Sequence, residues 1–341
     1  MKKLILIFAA VIGVCCAIIG WNYLRDNRLS GFSEESDIYV YPGYTSTQVA
    51  DSIIAKAAAR WPRRLEKVFS EHEVDRYLTP GHYVVKPGQS AAYVARMLNN
   101  GWETPVRLTL SGTLRLRGEI ARKISNQMMV DSATVRAAME DRDLLGRFGF
   151  TPKTVFALFV PDTYEMYWSA SIEEIFAVQK RAYDAFWSDA NRSKAAAQKL
   201  TPMEVSILAS IVSGETNHIP EMPKIAGVYL NRLHKGMKLQ ADPTIAFCYD
   251  YDVKRIYKRQ LKFDSPYNTY LHTGLPPGPI YVPSLNALNA VLNPDYGGGN
   301  LYFCASPSFD GTHRFARTYS EHLKNARAFQ KALDARQAEK K

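Results

Sequence analysis

Glu215 is the residue best placed to do chemistry in this chain. The segment that delivers it starts at Thr201-Pro202-Met203-Glu204, which has the spacing of a helix start: a hydroxyl N-cap, proline at the first helical position and glutamate three residues after the cap. Val205, Leu208 and Val212, flanked by Ile207 and Ile211, continue at helical spacing as an apolar stripe, and the next position on it is Glu215. A carboxyl against an apolar face, at the negative end of a helix dipole, holds its proton to higher pH, as a general acid must near neutrality. The other reading is that Gly214 ends the helix and Glu215 turns into solvent.

The segments that follow are polar, aromatic and rich in turn formers: Asn231-Arg232-Leu233, Gly236-Met237-Lys238-Leu239-Gln240-Ala241-Asp242-Pro243-Thr244, Tyr267-Asn268-Thr269-Tyr270 and Gly274-Leu275-Pro276-Pro277-Gly278-Pro279-Ile280. They read as surface loops, and their amide and aromatic groups offer the stacking faces and paired donors and acceptors that suit sugars. Together with Ala209-Ser210-Ile211-Val212-x-x-Glu215-Thr216, these motifs resemble, in order, those of the YceG-like family of endolytic murein transglycosylases. The similarity runs over roughly residues 37–330 and is strongest after 200.

That resemblance implies a membrane-anchored enzyme that cuts peptidoglycan glycan strands, with Glu215 as the catalytic acid and no cofactor or metal. The family commonly has Glu-Lys-Glu-Thr where this chain has Ser213-Gly214-Glu215-Thr216, so in an active protein only the second glutamate is essential. Residues expected to contact substrate are Asn217, Gln240, Asp242, Thr244, Tyr267, Asn268, Thr269, Tyr270, Leu275, Pro276, Ser284 and His313. His313 lies in a His-x-Phe like the family's, and His322 in a later Thr-x-x-x-His stretch; each lines a cleft or is structural.

The expected fold class is α+β: an N-terminal transmembrane helix, a small LysM-like α/β module and a mixed α+β catalytic domain. Met1–Lys3 form a short cytoplasmic tail, and residues 4–24 the anchor, because Leu4 to Trp21 is an uncharged run of 18 residues. No clear small-x-small cleavage site ends that run, which argues against a signal peptide, and Trp21 and Tyr23 suit the interface. Residues 25–36 read as a linker and 37–105 as the module. In the module, Asp37–Gly43 and His82–Gly88 are alternating strands with Pro-Gly turns, each followed by a hydroxyl-capped helix. The second of these resembles half of a LysM motif. The catalytic domain spans 106–330, with a strand over 105–110, helices over 116–128 and 133–148, and a long helix from Ser171 fading into the polar run 188–199. A helix capped by Ser284 and a buried strand at Leu301–Ala305 come next, and 331–341 form a charged, frayed tail. Asp162, in Pro161-Asp162-Thr163, either contacts substrate or turns the chain.

The 341 residues carry 43 Lys and Arg against 33 Asp and Glu, a formal charge of +10. The excess is spread along the chain beside no nucleic-acid motif, which favours lipid headgroups or anionic wall polymer over nucleic acid. Cys248 and Cys304 have no metal-ligand spacing and read as buried thiols or a single disulfide. The partners implied are peptidoglycan, the inner membrane and cell-wall synthases (penicillin-binding proteins), with the catalytic domain on the periplasmic side.

Hydrolytic glycosidases use two carboxylates. A transglycosylase needs one, because the muramic acid C6 hydroxyl attacks within the same molecule and leaves a 1,6-anhydro end. Cuts inside nascent strands at the MurNAc–GlcNAc bond would limit strand elongation. Asp242 is the candidate second carboxylate for a hydrolase, although its Asp-Pro-Thr context is turn-like. A non-catalytic glycan-binding scaffold is the rival from another class.

Overall fold

The computed structural model describes residues 2–253 and 255–338; Met1 of the short tail and the last three residues of the charged tail lie outside them. The chain is mixed α+β and divides into two compact units with separate cores.

The smaller unit takes the chain to Leu108 and adds residues 127–130 and 165–170. Helix α1 (Lys2–Asn27) is long and apolar enough to cross a membrane, and its apolar length is fully exposed. Strand β1 (Ser36–Val40) pairs antiparallel with β2 (Gly81–Val85), Ile38 opposite Tyr83. Between them lie α2 (Ser46–Lys56), α3 (Pro62–Glu71) and α4 (Val74–Tyr77), and α5 (Ala91–Asn99) follows. The two strand-turn-helix stretches of the sequence therefore form one sheet. Their inward residues Ile38, Val40, Tyr83 and Val85 share a core with Ile53 and Leu98. Thr45 caps α2, in a capping box with Gln48, and Ser90 caps α5. The stretch expected as a linker is ordered: Arg64 bonds Asp26 at 2.9 Å, and Phe32 bridges Ala59.

Strand β3 (Val106–Thr109) pairs with β4 (Thr163–Met166). The larger unit contains α6 (Arg117–Ser125), α7 (Ser132–Ala138), α8 (Arg142–Arg147), α9 (Ile172–Phe186) and α10 (Asp189–Ala197). Two expected helices are broken. The 133–148 pattern splits because Asp141 caps a new helix, accepting from the Asp143 and Leu144 amides at 2.9 and 3.0 Å. The helix begun at Ser171 stops at Trp187, which is buried.

The core element is α11 (Pro202–Glu215), surrounded by α12 (Met222–His234), α13 (Asp242–Cys248) and α14 (Leu285–Leu292). Its start is as read: Thr201 and Glu204 bond each other's backbone amides at 3.2 and 2.7 Å. The apolar stripe is a correction, because Val205 through Val212 are all buried, so the helix is enclosed on every side. Ser206 and Ser210 tolerate this because they donate to the Pro202 and Ile207 carbonyls, and Ser210 also accepts from the Ile280 amide.

Asn231-Arg232-Leu233 is a second correction: it lies within α12, with Arg232 buried. Strand β5 (Tyr302–Ala305) pairs antiparallel with β6 (His313–Ala316) and is half-buried rather than buried. Helix α15 (Tyr319–Ala338) runs on through the part of the tail expected to fray. Cys248 and Cys304 are free thiols.

Candidate active site

The helix does not end at Gly214. It carries Glu215 as its last residue, and Thr216 then turns extended. Gly214 is needed for packing: a Cβ there would sit 2.6 Å from the Pro243 ring and 3.2 Å from the Tyr281 hydroxyl. The tight contact brings the start of α13 against the end of α11.

The Glu215 carboxyl accepts a short hydrogen bond from the Tyr229 hydroxyl of α12. Burial pushes its pKa up to about 7; the Tyr229 bond opposes the rise, the Asp242 charge adds to it, and Arg232 opposes it. The residue as a whole keeps partial exposure because it opens onto cavities, while protein crowds the carboxyl itself. Burial holds Tyr229 well above the usual phenol range, so it remains a donor.

Glu215 lines two cavities. One, of about 290 Å³, is walled by Tyr229, Arg232, Gln240, Asp242, Tyr270 and Tyr302, with His322 and Tyr319 at its edge. The Arg232 guanidinium is fixed by the Leu239 and Leu301 carbonyls, both at 2.6 Å, and lies over the Tyr302 ring. Asp242 is exposed and accepts from the Tyr270 hydroxyl at 2.6 Å. Burial, helped by Arg232, lowers the pKa of His322, which stacks on Tyr302 and stays neutral near pH 7. The second cavity, of about 670 Å³, includes Asn217, His218, His313 and Arg336. Asn217 also lines a third, of about 490 Å³, with Ser213, Ser284 and Asp162. The first two cavities share Glu215, and the second and third share Asn217. Among the described residues no cluster of His, Cys, Asp or Glu could hold a metal ion.

The structure thus brings Gln240, Asp242, Tyr270, Asn217 and His313 to cavities that Glu215 lines, and Ser284 to the adjoining one. Three expected contacts are instead loop framework, because their side chains are buried and already paired. Thr244 and Thr269 bond each other at 2.9 Å, and Asn268 spans the Leu261 and Phe263 carbonyls. Tyr267 packs on Phe247, ring centroids 4.6 Å apart. Leu275 and Pro276 line a separate cavity beside Glu204 and Ile207. Ile207 is eight residues before Glu215, roughly 12 Å along the helix. Sequence reasoning missed Tyr229, Arg232, Tyr302 and Tyr319. The first two are themselves buried on α12, Tyr229 within the core, and only the fold turns them toward Glu215.

The YceG-like family model matches residues 38–328, most of the chain. The chain belongs to the YceG-like family. It is similar to the endolytic murein transglycosylase of Bacillus subtilis, 36% identical over 158 residues, which is 45% of this chain and 42% of that protein. It is also similar to the endolytic murein transglycosylase of Streptococcus pneumoniae, 32% identical over 170 residues, 48% of this chain and 30% of that protein. The matches thus span less than half the length of these curated relatives. A crystal structure of a YceG-like protein from Listeria monocytogenes shares the fold, with a TM-score of 0.56 over 85% of this chain and 98% of that one at 24% identity. In this YceG-like chain Glu215 lines both cavities, and Thr216 lines the larger of them.

Proposed function

We propose that this chain is an endolytic peptidoglycan transglycosylase that cleaves the MurNAc–GlcNAc bond within nascent strands and leaves 1,6-anhydroMurNAc ends. The observation that carries this reading is a buried carboxyl with its pKa raised to about 7 that lines two adjoining open cavities. Glu215 protonates the glycosidic oxygen, then accepts the proton of the C6 hydroxyl as that oxygen attacks C1. Two cavities meeting at Glu215 leave room for more than one sugar and support cuts inside a strand, and the names of the curated relatives support murein as the substrate. Tyr270 and the exposed Tyr319 offer faces for sugar rings.

Helix α1 supports a single-pass anchor in the inner membrane, with the catalytic unit periplasmic. Residues 37–105 serve as a LysM-like glycan-binding module, and the partners are peptidoglycan and the synthases that extend its strands.

The presence of Asp242 on the same cavity favours one second reading, a two-carboxylate hydrolase. Mass spectrometry of glycan strands treated with the full-length protein in detergent separates the two. Fragments one water lighter than hydrolysed ones, released by the wild type and not by Glu215→Gln, are expected. Hydrated reducing ends would give the hydrolase, and no cleavage with retained binding would give a scaffold.

A further inference from the structure

Besides Glu215, its larger cavity is lined by an imidazole that the fold holds in one orientation. Glu221, at the start of α12, is buried, and both its oxygens are committed to His313: Oε1 accepts the backbone amide at 3.0 Å and Oε2 meets ring Nδ1 at 2.9 Å. A carboxylate only accepts, so Nδ1 carries the hydrogen. The ring also meets Phe303 edge-on, with centroids 5.5 Å apart. Nδ1 being occupied leaves Nε2 for the cavity, where no side chain bonds it among the described residues. This is the carboxylate–imidazole arrangement that fixes a tautomer and a ring orientation. Nothing in acid catalysis by Glu215 uses it.

The proposed reaction has a use for such a group. Protonating the leaving oxygen builds positive charge at C1, and a one-carboxylate site has no second carboxylate beneath it. The 2-acetamido group of the sugar being cut can offset that charge if its carbonyl oxygen is turned toward C1, which points its N–H away.

We infer that His313, held by Glu221, accepts that acetamido N–H through Nε2, so that the pair orients the substrate's own carbonyl toward the reacting carbon and makes the enzyme selective for N-acetylated strands. This rests on the transglycosylase reading of Glu215. No bond is made or broken at His313, and the hydrogen stays on the amide nitrogen. His313 is the group touching substrate, and Glu221 is its positioning residue.

The test compares peptide-free glycan strands with the same strands after de-N-acetylation, using full-length protein in detergent. For the wild type, cleavage of the acetylated strands is expected to be the faster. His313→Phe keeps the ring packing and should lower kcat on acetylated strands about tenfold or more, as for one lost hydrogen bond, with KM little changed and no further loss on de-N-acetylated strands. Glu221→Gln should act in the same direction and less. Equal slowing of both substrates by either variant would make the pair merely structural and overturn the inference. The same preference is read without turnover by placing His313→Phe, or His313→Gln if the first is unfolded, in a Glu215→Gln background and measuring binding. An undiminished preference for acetylated strands there overturns this inference alone. Failure of folded Glu215→Gln protein to bind either strand overturns the glycan reading and this inference with it.

Discussion

Glu215→Gln should make the protein more stable while it abolishes activity, and the gain should depend on pH. The folded carboxyl has its pKa raised from 4.5 to about 7, so between those values the folded state keeps a proton that the unfolded state has released. Stability is therefore lost as pH rises through this window and stays low above it. The full displacement corresponds to about 3 kcal/mol at 1.4 kcal/mol per tenfold, and the opening onto the cavities reduces this to about 1–3 kcal/mol. Glutamine is neutral throughout and its carbonyl still accepts from Tyr229, so the variant avoids the loss. Thermal unfolding of both proteins at pH 4.5 and pH 8 checks this: near coincidence at the low pH, and a gap of about 2–10 °C in favour of the variant at the high one. A gap of the same size at both pH values, or a less stable variant at pH 8, would refute the argument that Glu215 is an acid held protonated by burial. Cleavage should fall about 10²–10⁴-fold at either pH.

Asp242→Asn removes a charge that raises the Glu215 pKa, so the alkaline limb of the pH–rate profile should move down while the product keeps its anhydro end; an unmoved limb would show that the two carboxyls do not interact. Tyr229→Phe removes a bond that favours the ionised form, so the same limb should move up, with a stability loss of about 1–2 kcal/mol in denaturant unfolding. Gly214→Ala forces a methyl against Pro243 and should cost about 1–3 kcal/mol by the same measurement. It should also lower cleavage, since the displaced α13 carries Asp242.

Local rules were enough where the signal is local. Thr201 to Glu204 specifies a capped helix start through bonds within four residues, and Ser90 and Ser284 cap their helices as expected. The position of Glu215 follows from counting along α11. What the sequence left undecided are relations between distant segments. The same apolar run is compatible with a one-sided stripe or with full burial; α12, α13 and α14 closing around α11 decided for burial. Gln240, Asp242 and Tyr270 reached the Glu215 cavity, whereas Leu275 and Pro276, in an equally loop-like stretch, did not. Composition reports that a loop is exposed but not which way it folds back. Tyr229 was hidden for the opposite reason: on a helix it looks like a core position, and only packing against the end of α11 brings the phenol to the carboxyl. The sequence by itself determined the capped start of α11 and the spacing that puts Glu215 on it, because those depend on bonds between near neighbours. The tertiary structure alone decided that acid's pKa and its companions, because burial and charge act through space between residues that the chain separates.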